Sequence, residues 1–290
     1  IGGVLTFKNS GVDKTIKEID IQHLLLETDS PYLAPTPYRG KRNESKYIIN
    51  IAEKLSEIHQ ISMEDVADIT TNNALKLFKE FLSVEKRNWD VSYYEIYNDK
   101  FPKHIKNFDA FLITGSSFGV YENHNWIIKT IKLIDKVIKY KKQIVGICFG
   151  HQIIVQSMNG LVEKYSKGWA TGISEVKFNI EKSWLPTFDR NLKLISFHQD
   201  QVVKIPDYFD HLAETNFCKY YALSMDNNVF TIQGHPEFSN QYTLDLLEIK
   251  KENIGKKLYL ESKRGLEKQT NDGHIFQNCI ANFLEKNFDL

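Results

Sequence analysis

The chain has 290 residues, of which 42% are hydrophobic and 26% charged, the composition of an ordinary globular protein. Its 37 basic side chains balance 37 acidic ones, so no net charge favours nucleic acid or an anionic membrane as a partner, and a small-molecule or peptide substrate is expected. The three cysteines are too few and too widely spaced for a disulfide framework, and no apolar run reaches the roughly 18 residues of a membrane-spanning helix, so a cytoplasmic protein is predicted.

The N-terminal part of the chain predicts two short strands followed by helices. Residues 3–7 and 22–28 are brief apolar segments bounded by polar or turn residues, a pattern typical of buried strands. Ser62 and Asp65 form the Ser-x-x-Asp pattern that often begins a helix. Helices are predicted over three segments, at about 46–59, from Ser62 onward and at 73–82.

From Trp89 onward, strand patterns alternate with helix patterns. Strands are predicted at 90–96, 109–114, 143–147, 193–197, 220–224 and 228–232. Helices are predicted near 125–140, 150–158, 240–251 and 275–287. Alternation of this kind predicts an α/β fold with a mainly parallel sheet and helices on both of its faces.

The segment 143–152, QIVGICFGHQ, ends an apolar strand at Cys148 and begins a helix at once. Glycines at 146 and 150 flank the cysteine symmetrically, which is the nucleophile-elbow pattern with Cys in place of Ser. Such a turn is strained, and it holds the sulfur at a helix N-terminus, where the thiolate is favoured. The backbone N–H of Phe149 is then expected to donate to an oxyanion. A buried core cysteine is the alternative, but the His-Gln pair that follows favours a nucleophile.

A thiol nucleophile needs a base, and the base needs a partner that orients it. QGHPE at 233–237 follows the strand-like segment 228–232 and lies 87 residues after Cys148. Side chains two residues apart on an extended exit from a strand point the same way, so His235 and Glu237 can act together. His235 is predicted to accept the thiol proton and return it to the leaving amine, while Glu237 holds the imidazole. Taken alone, the pair is more often an ordinary surface turn, but the cysteine elbow upstream weakens that alternative.

Two further strand ends carry candidate site residues. ITGS at 113–116 breaks an apolar strand at Gly115, where small residues leave N–H groups free to face a ligand, although an ordinary strand–helix turn fits as well. His198, Gln199 and Asp200 form a polar cluster after the strand at 193–197. Since open α/β sheets bind ligands at such an edge, this cluster is predicted to position the substrate.

The motifs ITGS, GICFGHQ and QGHPE resemble those of the class I (triad) glutamine amidotransferases and stand in that family's order. The resemblance covers about residues 79–290. It implies a flavodoxin-like α/β fold and hydrolysis of a γ-glutamyl amide bond through a γ-glutamyl thioester, with no cofactor. By motif match it assigns the triad to Cys148, His235 and Glu237, the oxyanion hole to Gly115 and Phe149, and a place in the glutamine pocket to Gln152.

Within that family, the stretches FDAFLITGSSFGVYENHNWI, FHQDQV and IQGHPEF are most similar to stand-alone members of the γ-glutamyl peptidase and GMP-synthase-like amidase group. The resemblance implies glutamine or a γ-glutamyl peptide as substrate, and transfer of ammonia to an acceptor only if a separate synthetase subunit exists. Family members open with a strand and a helix before the segment that corresponds to 89–96. Here a helix over about 77–84 can supply the helix, but no strand pattern precedes it.

Residues 1–78 resemble instead the C-terminal part of TatD-family metal-dependent deoxyribonucleases, which are TIM-barrel hydrolases. The matching segments include LLLETDSPYLAP at 24–35 and ISMEDVADITTNNALKLF at 61–78. The resemblance places Asp29 at a barrel strand end near the metal site. The family's other metal ligands are absent, and one carboxylate cannot hold a divalent pair. An inactive partial barrel without a metal is therefore predicted.

Three functions remain open from the sequence. The leading one is Cys148-dependent hydrolysis of a γ-glutamyl amide bond. A TatD-like metal-dependent deoxyribonuclease is the second, and a catalytically degenerate binding or scaffold protein is the third.

Overall fold

The computed structural model describes residues 1–28, 32–82, 89–185 and 191–285, without the side chains of residues 45, 74–82 and 249. The chain divides into two compact units, Ile1–Ser83 and Val84–Leu290. Over the described residues, no helix combines the length and the apolar character needed to cross a membrane.

The N-terminal unit is built from three helices, α1 (Val12–Lys17), α2 (Ile48–His59) and α3 (Met63–Leu82). The predicted start of α3 is confirmed, because Ser62 Oγ accepts from the N–H of Asp65 at 3.0 Å while the Asp65 carboxylate accepts from the N–H of Ser62 at 3.3 Å. The helix predicted separately at 73–82 is the last part of α3. A core that includes Leu5, Leu55 and Val66 holds the unit together.

The two strands predicted for the N-terminal unit are wrong. Gly3–Thr6 forms a short 3₁₀ turn, and residues 24–28 are in no strand. Ile1 bonds across to the second segment, donating to Leu25 O and accepting from the N–H of Glu27 at 3.0 Å. A strand needs a longer row of such bonds, and the described part of this unit supplies no further strand to provide it. The predicted partial TIM barrel is not confirmed, and Asp29 lies outside the described residues.

The C-terminal unit contains a seven-stranded mixed sheet with the order β1-β2-β9-β8-β7-β4-β5. Its strands are β1 (Ala110–Ile113), β2 (Gln143–Ile147), β4 (Ala170–Phe178), β5 (Asn191–His198), β7 (Asp210–Glu214), β8 (Ala222–Met225) and β9 (Val229–Ile232). A second, two-stranded sheet pairs β3 (Leu161–Lys164) with β6 (Asp200–Lys204).

The prediction of a mainly parallel sheet is wrong. Only the pairs β1–β2 and β2–β9 are parallel, and the remaining four pairs of the described sheet are antiparallel. A short connection accounts for the β8–β9 pair, since three residues are too few for the crossover that parallel neighbours require. Parallel pairing is thus confined to the part of the sheet that carries the GICFGHQ and QGHPE motifs.

The predicted strand at 90–96 is also wrong. Residues 89–95 form no strand, and Ile96–Asn98 is a 3₁₀ turn. Among the described residues β1 pairs with β2 alone, so its other edge offers no ladder to segment 89–95. An alternating apolar segment without a neighbour to pair with has no hydrogen bonds to hold it as a strand.

Helices pack on both faces of the sheet, as predicted. They are α4 (Asn125–Lys139), α5 (Phe149–Ser157), α6 (Asn240–Ile254), α7 (Lys256–Lys268) and α8 (Gly273–Glu285). Ile144 and Val229 belong to one core cluster with Ile134 of α4. Phe230, which points to the other face, packs against Phe283 of α8 with ring centroids 5.7 Å apart.

The turn from β2 into α5 depends on close backbone contact. A Cβ added to Gly150 would lie 2.0 Å from the carbonyl oxygen of Ile113 in β1, so only glycine lets α5 begin directly against the sheet. Gly265 in α7 is the opposite case, since a Cβ there would meet nothing within 4 Å.

These two glycines give a matched test of the fold. We expect Gly150→Ala to lower the free energy of unfolding by about 3 kcal/mol, because β1 and α5 must move apart. Gly265→Ala should raise it by about 0.5–1 kcal/mol, because alanine loses less backbone entropy in a helix. All four tryptophans lie in the C-terminal unit, so urea unfolding followed by tryptophan fluorescence reports on the relevant part. Equal effects of the two changes would contradict the described turn.

Candidate active site

The candidate site lies where the parallel strands β2 and β9 end. The two strands are paired up to Ile147 and Ile232, and the N–H of Cys148 donates to Ile232 O at 2.9 Å. Because parallel neighbours end at the same edge, the residues that follow them, Cys148 and Gln233, emerge side by side. The segment that begins at Gln233, which is distant in sequence, is thereby brought next to Cys148.

Cys148 occupies the strained turn that the sequence predicts. Its φ of 53° and ψ of −102° are unusual for a non-glycine residue, and it directly precedes α5. The side chain is 7% exposed, so the sulfur lies at the bottom of the site rather than on the surface. Phe149 is the first residue of α5, where a backbone N–H has no partner within the helix and can serve a ligand.

His235 is held from three sides. Its Nδ1 lies 2.7 Å from Glu237 Oε1, its ring stacks on Phe238 with centroids 4.0 Å apart, and its backbone N–H donates to Ile195 O at 2.8 Å. With Nδ1 bound to a carboxylate, Nε2 is the ring nitrogen that faces Cys148, with which the imidazole also hydrogen-bonds. The structure therefore brings the three predicted triad residues together.

The charge of the imidazole follows from these contacts. Burial, the largest single influence, disfavours a charged ring, but the Glu237 carboxylate and the Cys148 sulfur together outweigh it and raise the pKa of His235 to about 10. The same neighbours that orient the ring thus hold it as imidazolium at neutral pH. An imidazolium beside a sulfur stabilises the thiolate.

Gly115 lies beside both of these side chains. A Cβ added there would be 3.2 Å from Cε1 of His235 and 3.7 Å from Cβ of Cys148. Any larger residue would press on the imidazole, so the glycine keeps the space between base and nucleophile open. The loop after β1 therefore reaches the site, as the sequence predicts.

The other histidines near the site stay neutral. Burial lowers the pKa of His151 to about 3, and its Nδ1 lies 2.8 Å from Thr231 Oγ1. Burial likewise lowers the pKa of His198 to about 3, and its Nδ1 lies 3.2 Å from Asp200 O. Neither ring competes with His235 for a proton at neutral pH.

The cluster predicted to position substrate is joined to the site by a hydrogen bond from Gln152 to Asp200. Tyr121 donates to the Asp200 carboxylate at 2.9 Å, and Asp200 O accepts from Gln152 Nε2 at 2.9 Å. Gln199 contributes its carbonyl to the N–H of Tyr165 at 3.2 Å. Burial raises the pKa of the Asp200 carboxyl, opposed by the Tyr121 hydroxyl.

Sequence reasoning missed two residues of the site. Phe238 stacks on the imidazole, and Gln233 Nε2 donates to Cys148 Sγ at 3.7 Å. Both flank the predicted histidine in the chain, which was the available signal. Their contacts depend on how β9 pairs with β2, which the sequence pattern alone did not reveal.

The described residues contain no group of three or more His, Cys, Asp or Glu side chains arranged to hold a metal ion. Asp29, the predicted remnant of a metal site, lies outside the described residues. The chemistry that the described site can support is nucleophilic: a thiolate, an imidazolium that can donate a proton, and a helix N-terminus that can hold an oxyanion.

The first 79 residues match the family TatD related DNase. They are 48% identical, over 79 residues, to an uncharacterized metal-dependent hydrolase of Bacillus subtilis, a match that covers 27% of this chain and 31% of the other. This similarity therefore spans about a third of the relative's length.

Most of the chain matches proteins of a different kind. It is 27% identical over 253 residues to gamma-glutamyl peptidase 4 of Arabidopsis thaliana, covering 84% of this chain and 96% of the relative, and 25% identical over 226 residues to gamma-glutamyl peptidase 3, covering 74% and 90%. The fold is similar to a crystal structure of a glutamine amidotransferase from Thermotoga maritima, with a TM-score of 0.59 and 17% identity over 73% of this chain and 90% of that one.

The family Glutamine amidotransferase class-I matches residues 63–248, well over half of the chain, and includes β2, β9 and the side chains that meet at their ends. Sequence family, fold and site geometry agree, and the chain belongs to the class I glutamine amidotransferase family.

Proposed function

We propose that the protein hydrolyses a γ-glutamyl amide bond through a γ-glutamyl thioester on Cys148. The observation that carries the proposal is the meeting of Cys148 with the His235–Glu237 pair at the paired ends of β2 and β9. Family membership and the similarity to two γ-glutamyl peptidases support an amide-hydrolysing enzyme. Reduced sulfur is required, which fits a cytoplasmic setting.

In the acylation step, the Cys148 thiolate attacks the γ-carbonyl carbon of the substrate and forms a C–S bond. The N–H groups of Phe149 and Gly115 take the negative charge that develops on the carbonyl oxygen. As the C–N bond breaks, imidazolium of His235 gives its proton to the departing amine. Glu237 keeps the imidazole oriented throughout, with Nδ1 bound and Nε2 facing the reacting atoms.

In the deacylation step, His235 is neutral and acts as the base. It takes a proton from a water molecule, and the resulting hydroxide attacks the thioester carbonyl at the same oxyanion site. The C–S bond breaks, and glutamate leaves with its γ-carboxyl group first as the acid, which then ionises. The thiolate–imidazolium pair is thereby restored. No cofactor takes part in this scheme.

The γ-glutamyl group of the substrate carries an α-ammonium and an α-carboxylate. We assign recognition of the ammonium to Asp200, whose carboxylate accepts from the Tyr121 hydroxyl and whose backbone carbonyl is linked to the site through Gln152. We also assign His198 and Gln199 to substrate positioning, and Gln152 to the pocket that holds the glutamine. The substrate class is thus glutamine or a γ-glutamyl peptide.

The N-terminal unit takes no part in the proposed chemistry. We propose that residues 1–78 are a TatD-like segment without nuclease function and that residues 79–290 form the amidase domain. Any transfer of released ammonia to an acceptor would need a separate synthetase subunit.

The nucleophile is tested by Cys148→Ala with Cys279→Ala as the matched control. Cys279 is also buried, and burial raises the pKa of its thiol to about 12, so little of it is thiolate at neutral pH. We expect glutamate release from glutamine or glutathione to fall by about 10⁴-fold or more in Cys148→Ala. Cys279→Ala should stay within about twofold of wild type. Turnover that survives in Cys148→Ala contradicts the proposal.

The proton donor is tested by the pH dependence of kcat/KM. Since the pKa of His235 is raised to about 10, the imidazolium needed for amine departure is present below that pH and lost above it. We therefore expect kcat/KM, which reports the free enzyme through acylation, to fall on the alkaline side with a midpoint of about 10. Glu237→Gln removes a charge that raises this pKa, so its alkaline midpoint should lie about one to two pH units lower. An unchanged midpoint in Glu237→Gln would contradict the assignment of His235 as the proton donor.

Recognition of the ammonium is tested by Asp200→Asn, with Tyr121→Phe as a control that removes only the hydroxyl bonded to the carboxylate. Asp200→Asn loses the charge-assisted contact with the ammonium and should raise KM about 10- to 100-fold with little change in kcat. The variant should discriminate poorly between glutamine and 4-carbamoylbutanoate, its analogue without the α-amino group. If wild type and Asp200→Asn discriminate equally, Asp200 does not bind the ammonium.

A further inference from the structure

Two buried amides connect the cysteine to the substrate-positioning loop. Gln152, in the first turn of α5, donates from Nε2 to Asp200 O at 2.9 Å and to Gln233 Oε1 at 3.0 Å. Gln233, directly after β9, donates from its own Nε2 to Cys148 Sγ at 3.7 Å. Gln152 is 3% exposed and Gln233 is fully buried, so these hydrogen bonds do not compete with bulk water.

The direction of the two amides is fixed by the atom at the far end. The carbonyl oxygen of Asp200 can only accept, so the group of Gln152 that faces it must be the NH₂. The second hydrogen of that NH₂ requires an acceptor, which places the oxygen of Gln233 toward Gln152. The NH₂ of Gln233 is then left to face the sulfur. Turning either amide over would bring two donors or two acceptors together in a buried place.

We propose that Gln233 is a catalytic residue whose side-chain N–H stabilises the Cys148 thiolate, and that Gln152 and the Asp200 carbonyl position it. The proposal deepens the proposed function and rests on it for the reaction in which the thiolate is used. A hydrogen bond to an ionised acceptor is stronger than one to a neutral acceptor, and a low-dielectric site strengthens it further. Gln233 therefore favours the thiolate over the thiol.

The hydrogen bond from Gln233 to the sulfur matters both before acylation and in deacylation. The sulfur is negatively charged before acylation and neutral in the thioester, so Gln233 binds it more strongly when deacylation releases it as thiolate. A better stabilised thiolate is a better leaving group, which eases hydrolysis of the thioester. Gln233 complements His235, which also hydrogen-bonds to Cys148 but must give up its proton during the reaction.

The test is the pH dependence of Cys148 alkylation by iodoacetamide, followed by mass spectrometry of the peptide that carries Cys148. The reagent is small and uncharged and needs no amidase turnover. The variant is Gln233→Met, which keeps length and approximate volume but removes the donor. Gln143→Met is the matched control, because Gln143 is also buried, lies in β2, and loses a bond from Nε2 to Phe283 O of 2.6 Å without touching the sulfur.

We expect the midpoint of the alkylation profile to rise by about one pH unit in Gln233→Met, which corresponds to about a tenfold loss of thiolate below the midpoint. The midpoint of Gln143→Met should match wild type even if its thermal stability drops. An unchanged midpoint in Gln233→Met, or an equal shift in both variants, overturns the proposal.

A second variant, Gln152→Glu, tests the positioning role, and its own midpoint shift is measured without Gln233→Met. The carboxylate that this change introduces can only accept, so Gln233 should turn its NH₂ toward that carboxylate and its oxygen toward the sulfur, raising the midpoint by more than about one pH unit. Adding Gln233→Met should then reverse part of that shift, because the repelling oxygen is gone. If the midpoint shifts of the two changes simply add, the new carboxylate acts directly on the sulfur. The proposed chain of hydrogen bonds from Asp200 O through Gln152 and Gln233 is then wrong.

Alkylation and hydrolysis separate this inference from the proposed function. If Gln233→Met shifts the alkylation midpoint while the wild-type protein releases no glutamate from γ-glutamyl substrates, the thiolate contact is supported and the proposed function is refuted. Active wild-type enzyme without a shift refutes the contact and leaves the function standing.

Discussion

The parallel pairing of β2 with β9 is the interaction on which the rest of the site depends. It sets Ile147 opposite Ile232, and the backbone bond from Cys148 to Ile232 carries the register one residue beyond the strand. Everything chemical follows from this alignment. The strained turn of Cys148 begins where β2 ends, beside the end of β9 from which the chain continues to His235. The sulfur and the imidazole therefore meet without a long flexible loop.

Burial gives this meeting its electrostatic consequence. A lone imidazole in such a place would stay neutral, as His151 and His198 do, with pKa values lowered to about 3. Two acidic partners reverse the outcome at His235, where the pKa rises to about 10. Three buried histidines of one unit thus carry different charges because only one of them faces a carboxylate and a sulfur. The buried amides of Gln152 and Gln233 add a further donor to the same sulfur.

How much the sequence could predict depended on how local the determining contacts were. The strand–turn–helix around Cys148 and the strand before His235 were predicted because their apolar runs are continuous and fully buried. Strands β3, β4, β6 and β7 were missed because none of them is a continuous apolar run. In β4, for example, buried Val176 and Phe178 alternate with polar residues on the exposed side. Segments 3–7, 22–28 and 90–96 were wrongly predicted as strands, because strand pattern is local whereas a ladder needs a neighbour. The contacts of Gln233 and Phe238 were out of reach for a related reason, since they depend on pairing and on loop conformation.

The central claim is that Cys148 and His235 form a thiolate–imidazolium pair. Its most direct test is a ¹⁵N NMR titration of the His235 side chain in the wild-type protein and in Cys148→Ala. The account predicts a doubly protonated ring with a midpoint of about 10 in the wild type and a lower midpoint once the sulfur is removed. A midpoint near the ordinary histidine value of 6.5 in both proteins would contradict it.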